Sequence, residues 1–257
     1  MSERLRAVVV LTVMASANCA AAQGLYWEST TTGMGGQPHN AQFYAVPKMM
    51  KIVQSDGHAV ILRGDQDKFI SVDSKKKTYH EMNLAELESA AKAAQSQMEA
   101  ARAQMQQRMK DLPPEQRAMM EKMMPNLPGA GAQAAPVAVK NTGETKLISG
   151  YTCAKYVATE GDKTVLVAWT TKDVPGFAGL RDDWVKFQKR MASMNRLSGS
   201  ATADAYAQIE GFPMETDVGQ MKTVVRKVEA RATPASAFEV PAGYKQEKME
   251  LPKAPPR

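Results

Sequence analysis

The 257-residue chain is 44% hydrophobic and 23% charged, with 33 Lys and Arg against 27 Asp and Glu, a formal charge of +6. That length supports one well-buried domain with an insertion, or two small ones. The basic residues are scattered, Lys75-Lys76-Lys77 being the only run of three, and no aromatic pattern interleaves with them. This excludes nucleic acid as a partner and leaves peripheral attraction to an anionic membrane surface open.

Residues 1–22 read as a secretory signal. Arg4 and Arg6 precede an apolar core over residues 7–17, and Ala20-Ala21-Ala22 supplies the small residues of a cleavage site. The apolar core is too short for the roughly 18–20 residues of a membrane span. Cleavage after Ala22 makes the protein periplasmic or secreted, with Gln23 as its first residue. Lipidation at Cys19 is the alternative; it is opposed by Ser16-Ala17-Asn18, which lacks the Leu and the small residue such a signal carries. Cleavage also leaves Cys153 without a disulfide partner. In "ISGYTCAKYVA" it reads as a small buried hydrophobe on a strand, with no His adjacent in sequence to make it a nucleophile.

Residues 25–82 read as β. "KMMKIVQ", "HAVILRG", "KFISVD" and "KTYHEM" are short runs parted by Ser55-Asp56-Gly57, Asp65-Gln66-Asp67 and Ser74-Lys75-Lys76, the signature of an antiparallel meander. Gly33, Gly35 and Gly36 form a loop; no Gly-Lys-Ser/Thr follows to make it a phosphate cradle. The period then changes. Leu84, Leu87, Ala91, Ala94, Met98, Ala101 and Met105 alternate spacings of three and four, an a/d helical seam. Pro113-Pro114 ends that helix and opens a second, "PEQRAMMEKMM". The pair is a Met/Gln-rich helical hairpin, which with its low-complexity return linker fills residues 83–140.

The β reading resumes at Glu144, where residues 144–171 form one long hairpin turning at Glu160-Gly161-Asp162. Next comes an amphipathic helix over "RDDWVKFQKRMASMNRL", within 179–197. Its apolar stripe is Trp184, Phe187, Met191 and Met194, and Asp182 and Asp183 suit its first turn. A short helical stretch near Ala203 to Ile209, the strands "FPMETDV" and "MKTVVRKVEAR", and a closing "FEVPAGYKQEKM" follow. Residues 23–251 thus make a single domain interrupted by the hairpin, and 252–257 a proline-rich flexible tail.

The stretches "GETKLISGYTCAKYVA", "GFPMET" and "FEVPAGY", with "VDSKKKTYHEM" and the Pro-Pro-Glu-Gln-Arg hairpin, resemble a bacterial family of secreted proteins of unknown function. That family is similar to the periplasmic lipoprotein-carrier superfamily, the Lol-type carriers. The resemblance implies an α+β fold: a curved antiparallel sheet, an unclosed β-barrel covered by helices, whose hollow accepts acyl chains. An unclosed barrel cannot fill its interior from its own strands, so helices or a guest must plug it. No Arg here matches the one that holds the lid shut in the carriers, so lipoprotein handoff does not follow from the resemblance.

For the methionines three readings stand. They pack one hairpin helix on the other; they form an adaptable face for an apolar ligand or partner; or their thioethers, paired i, i+4 at Met119/Met123 and Met120/Met124, bind Cu(I). His39, His58 and His80 lie in separate segments and show no metal-ligand spacing. Asp182 and Asp183 point about 100° apart on a helix and form no carboxylate pair. No hydrolase or zincin motif occurs. The expectation is a non-enzymatic exported protein, without a cofactor, that binds a lipid or other apolar molecule. Its expected contacts are Met105, Met109, Met119, Met123, Trp184, Phe187 and Met191. The alternative is a chaperone-like module whose hairpin docks an envelope protein.

Overall fold

The computed structural model describes residues 22–33, 36–86, 135–194 and 199–248, with scattered positions between 89 and 107. Residues 1–21 of the signal sequence, the Pro113-Pro114 break and the second hairpin helix lie outside them. Six strands come first: β1 (Ala22–Thr32), β2 (His39–Val46), β3 (Met49–Gln54), β4 (His58–Arg63), β5 (Lys68–Asp73) and β6 (Thr78–Asn83). The described residues of 84–107 are helical. Then follow β7 (Val137–Ile148), β8 (Tyr151–Glu160), β9 (Lys163–Thr171), α1 (Phe177–Met194), α2 (Gly199–Gln208), β10 (Phe212–Val218) and β11 (Met221–Thr233). A 3-10 turn (Ala235–Phe238) leads to the two-residue β12 (Lys245–Gln246).

The strands form one open sheet in the order β12-β6-β5-β4-β3-β2-β1-β11-β10-β9-β8-β7. Two meanders meet where β1 pairs with β11, and every neighbouring pair is antiparallel except β12 with β6. The expected antiparallel α+β architecture with an unclosed sheet therefore holds. Local chemistry sets the turns. Pro47 presets the β2–β3 turn and Lys48 completes it at φ 63, while Ser149 (φ 47) and Gly150 (φ 86) both take the left-handed region that a tight two-residue hairpin needs.

Directly paired residues share a face of a sheet. The row Leu25, Ala45, Met50, Leu62, Phe69 and Met82 runs across β1 to β6, beside the parallel row Trp27, Phe43, Ile52 and Val60. Both rows pack in one core with Phe177, Leu180, Trp184 and Phe187 of α1. α2 covers the other meander, setting Ala205 and Ile209 against Ala158, Leu166 and Ala168. On the opposite face of β2–β5, Phe238 is fully buried among Val46, Ala59, Ile61, Ile70 and Val72. The C-terminal segment is thus a strap: it crosses that face and finishes by pairing with the β6 edge.

Three sequence expectations change. Residues 144–171 form three strands, because Ser149-Gly150 turns the chain where alternation alone suggested continuity. β7 begins at Val137, inside the stretch read as return linker, and its pairing is broken between Asn141 and Thr145. A bulge of that kind erases the period-two pattern. α1 starts at Phe177, so Asp182 and Asp183 fall in its second turn and not its first.

Candidate functional site: a cavity beneath α1

Leu180, Trp184, Phe187 and Met191 recur at helical spacing and turn one stripe of α1 onto the sheet. Trp27 anchors the contact. Its ring stacks on Phe43 (4.7 Å between centroids, 6° between planes) and meets Trp184 and Phe212 edge-on at 5.7 and 5.5 Å. Such pairs contribute about 0.5–1.5 kcal/mol each beyond the area they bury. Polar contacts hold the helix at both ends. Arg181 Nη2 donates to the carbonyls of Ala207 (2.9 Å) and Ile209 (3.0 Å), joining α1 to the end of α2. The Lys48 backbone N–H donates to Asp183 Oδ2 at 2.8 Å, and Arg190 lies 3.9 Å from Asp67 in the β4–β5 turn.

The aromatic contacts leave part of the sheet uncovered. Between α1 and strands β1–β4 is a cavity of about 310 Å³. Leu25, Trp27, Ala45, Met50 and Leu62 form its floor, and Phe177, Leu180, Trp184 and Phe187 its roof. Its charged lining is Lys48, Asp183, Lys186 and Arg190. The Lys186 side chain is 72% exposed, which puts this group at the rim. The volume lies at the lower end of the range for small-molecule sites, and an apolar wall with a few polar groups is their usual composition. A second hollow, about 490 Å³, is polar and is bordered by Glu28, Asn40, Gln42, Gln54 and Arg226.

Of the contacts expected from sequence, Trp184 and Phe187 line the cavity. Met191 packs on the same core without lining it. Met105 is helical and half-buried, and is not part of the lining. Met109, Met119 and Met123, like Met120 and Met124 of the Cu(I) reading, lie outside the described residues. The methionines that do reach the cavity are Met49 and Met50 on β3. Sequence reasoning missed them, along with Leu25, Trp27, Ala45 and Leu62. The alternation of Leu25 and Trp27 was the available signal.

The remaining reactive groups are structural. Cys153 is fully buried on β8, and burial pushes its thiol up to about 11 against the pull of Lys146. Burial pushes the Glu215 carboxyl up, but the hydrogen bonds and charges of Lys146 and Lys222, each 2.8 Å from its Oε1, together hold it below its ordinary value. His80 Nδ1 lies 3.0 Å from the Glu247 carbonyl, tying β6 to the strap. Among the described residues no group of three His, Cys, Asp or Glu gathers as metal ligands do, and no helix is long and apolar enough to cross a membrane.

Solved structures similar to the chain include PNGF-II (11% identity, TM-score 0.38), covering 89% of this chain and 31% of that one. A MucA/MucB complex from Pseudomonas aeruginosa is 8% identical at TM-score 0.38, covering 93% of this chain and 63% of that one. A LolA superfamily protein from Nitrosomonas europaea is 6% identical at TM-score 0.27, covering 86% and 91%. The chain thus spans under a third of the first and under two thirds of the second. At these scores the architecture rests on its own strand order. No curated protein matches the chain. Residues 104–244, more than half of the sequence, match the family described as a domain of unknown function, DUF4412, and the chain belongs to that family.

Proposed function

We propose that this is an exported, non-enzymatic protein that holds an apolar ligand, a lipid chain above all, between α1 and the half-barrel formed by β1–β4. The observation that carries the reading is the 310 Å³ apolar cavity left beneath a helix already buried on aromatic side chains. At about 30 Å³ per methylene-sized group, the space a liquid water occupies, it takes about ten carbons of one chain. Burying them contributes about 0.8 kcal/mol each, on the order of 8 kcal/mol in all. After the roughly 4 kcal/mol or more that association costs, a dissociation constant on the order of 1 mM remains. The sequence resemblance to lipid-carrying proteins supports the same reading, as does a buried, poorly acidic Cys153 where a nucleophile would need exposure. Native mass spectrometry of the purified protein, before and after delipidation, tests it. One bound chain per protein is expected; a protein that takes up no alkyl chain of any length overturns it.

A second reading has its own observation. Among the described residues of 84–107, all helical, Ser89, Ala93, Gln97, Ala100, Gln104 and Gln107 are exposed, while Leu84 is buried in the core. An anchored helix with this exposed side is suited to docking an envelope protein. Replacing residues 87–126 with a flexible linker of equal length, which keeps the core residue Leu84, separates the two: partner capture is lost and chain binding remains if docking is the role.

A further inference from the structure

The rim of the cavity bears on which ligand it takes, an inference that rests on the binding role just proposed. Three cations, Lys48, Lys186 and Arg190, share the lining with one carboxylate, Asp183. That carboxylate is already engaged: Oδ2 accepts the Lys48 N–H, and Oδ1 lies 4.0 Å from the Lys186 ammonium. Arg190 reaches Asp67, which is not part of the lining. The Lys48 ammonium has no acidic partner among the described residues, and its backbone holds the left-handed φ of 63 that favours glycine. Among the described residues Lys48 thus places a positive charge without an acidic partner beside the apolar slot.

We propose that the cavity takes an amphiphile with one hydrocarbon chain and an anionic head, a carboxylate or a phosphate monoester, seated between Lys48 and Lys186. The volume admits one chain of about ten carbons, and a neutral or cationic head gains nothing from the rim. Competition against a neutral fluorescent apolar probe tests this on the full chain, with decanoate, decyl phosphate, decanol and decyltrimethylammonium as competitors. Lys48→Gly suits the local backbone and Lys186→Gln keeps a good helix former, so the double variant folds. At low salt the two anions outbind decanol by about tenfold, and the cation binds more weakly than the alcohol. The preference shrinks to about twofold in the double variant and at high salt, where exposed charges are screened. Comparing decanoate with decyl phosphate shows which anion the rim prefers; either ranking supports the proposal. Equal binding of all heads, or a preference unchanged in the double variant, overturns it. If no competitor displaces the probe, the binding role itself fails and this inference falls with it.

Discussion

Ala45 offers a direct test of where the ligand sits. It lies on β2 between Leu25 and Met50, is 4% exposed, and faces into the cavity. Ala45→Leu adds three carbons to the floor, about 90 Å³ at the space of a water each. That reduces the capacity from about ten methylene groups to about seven, so a decyl chain loses about 2.4 kcal/mol, close to fiftyfold in affinity. A hexyl chain loses almost nothing. Because the added carbons enter existing space, stability should hold or rise slightly; overpacking would cost about 1–3 kcal/mol. The assay is a chain-length series of one amphiphile class, measured by probe displacement on both proteins, with a denaturant melt as the folding control. The wild type should gain affinity up to about ten carbons and the variant should stop about three carbons sooner. Coincident curves would place the ligand elsewhere and refute the cavity as the site.

Arg181→Ala removes both bonds to the α2 carbonyls and should cost about 2 kcal/mol, since bonds from charged donors contribute about 1.5–3 kcal/mol and this side chain is partly exposed. Chemical denaturation reads it, and Arg181→Lys should recover part of the loss. Glu215 sets an acid limit. Its folded carboxyl titrates below its ordinary 4.5, so its pairing with Lys146 and Lys222 stabilises above that value and is lost as pH falls through the folded one. The melting temperature should fall below about pH 4.5, and less steeply in Glu215→Gln; equal slopes would remove Glu215 from the account. Cys153 should resist alkylation in the native protein at neutral pH and react at once in denaturant, because it is fully buried and its thiol is pushed up to about 11.

The parts of this fold that could be read from the sequence are those whose pattern is local. β3 to β6 are short runs parted by Asp, Gly and Ser turns, with β5 and β6 alternating; α1 shows its apolar stripe without any partner. The start of α1 was obscured because Phe177-Ala178-Gly179-Leu180 contains a poor helix former, although Phe177 and Leu180 are buried there. With the start misplaced, Asp183 looked like helix-end charge when it is the acceptor for the β2–β3 turn. The cavity floor is different in kind. Ala45 and Met50 face each other across one hairpin, but Leu25 and Leu62 join them only through the register of further strands, which no single segment encodes. The dense methionines of 105–124 drew the ligand reading to the hairpin, while Met50, inconspicuous in "KMMKIVQ", is the one in the floor.

If the proposed ligand displaces α1 as it enters, the contacts decide which end moves. Phe177, Leu180 and Phe187 are 6%, 6% and 4% exposed. Lifting the whole helix returns all three to water at about 1.5–3 kcal/mol each, on the order of 4.5–9 kcal/mol before the Arg181 bonds are counted. Around 5.5 kcal/mol the open form is only about one molecule in 10⁴. The N-terminal end is therefore fixed, with Phe177 packed edge-on against Phe212 at 5.1 Å and Arg181 bound to α2. Among the described residues, the C-terminal half rests on Phe187, on half-buried Trp184 and Met191, and on Arg190, which lies 3.9 Å from Asp67. Tilting that end uncovers the rim at a fraction of the cost. Asp67→Asn removes the charge and tolerates the left-handed φ of 55 that Asp67 holds. Since Asp67 is outside the lining, the variant should speed association and dissociation together and leave affinity nearly unchanged, whereas Arg181→Ala should alter stability more than either rate. Stopped-flow quenching of Trp184 and Trp27 by a chain ligand would follow both rates. A change in affinity carried by the dissociation rate alone would make the Arg190–Asp67 contact part of the binding surface and not its latch.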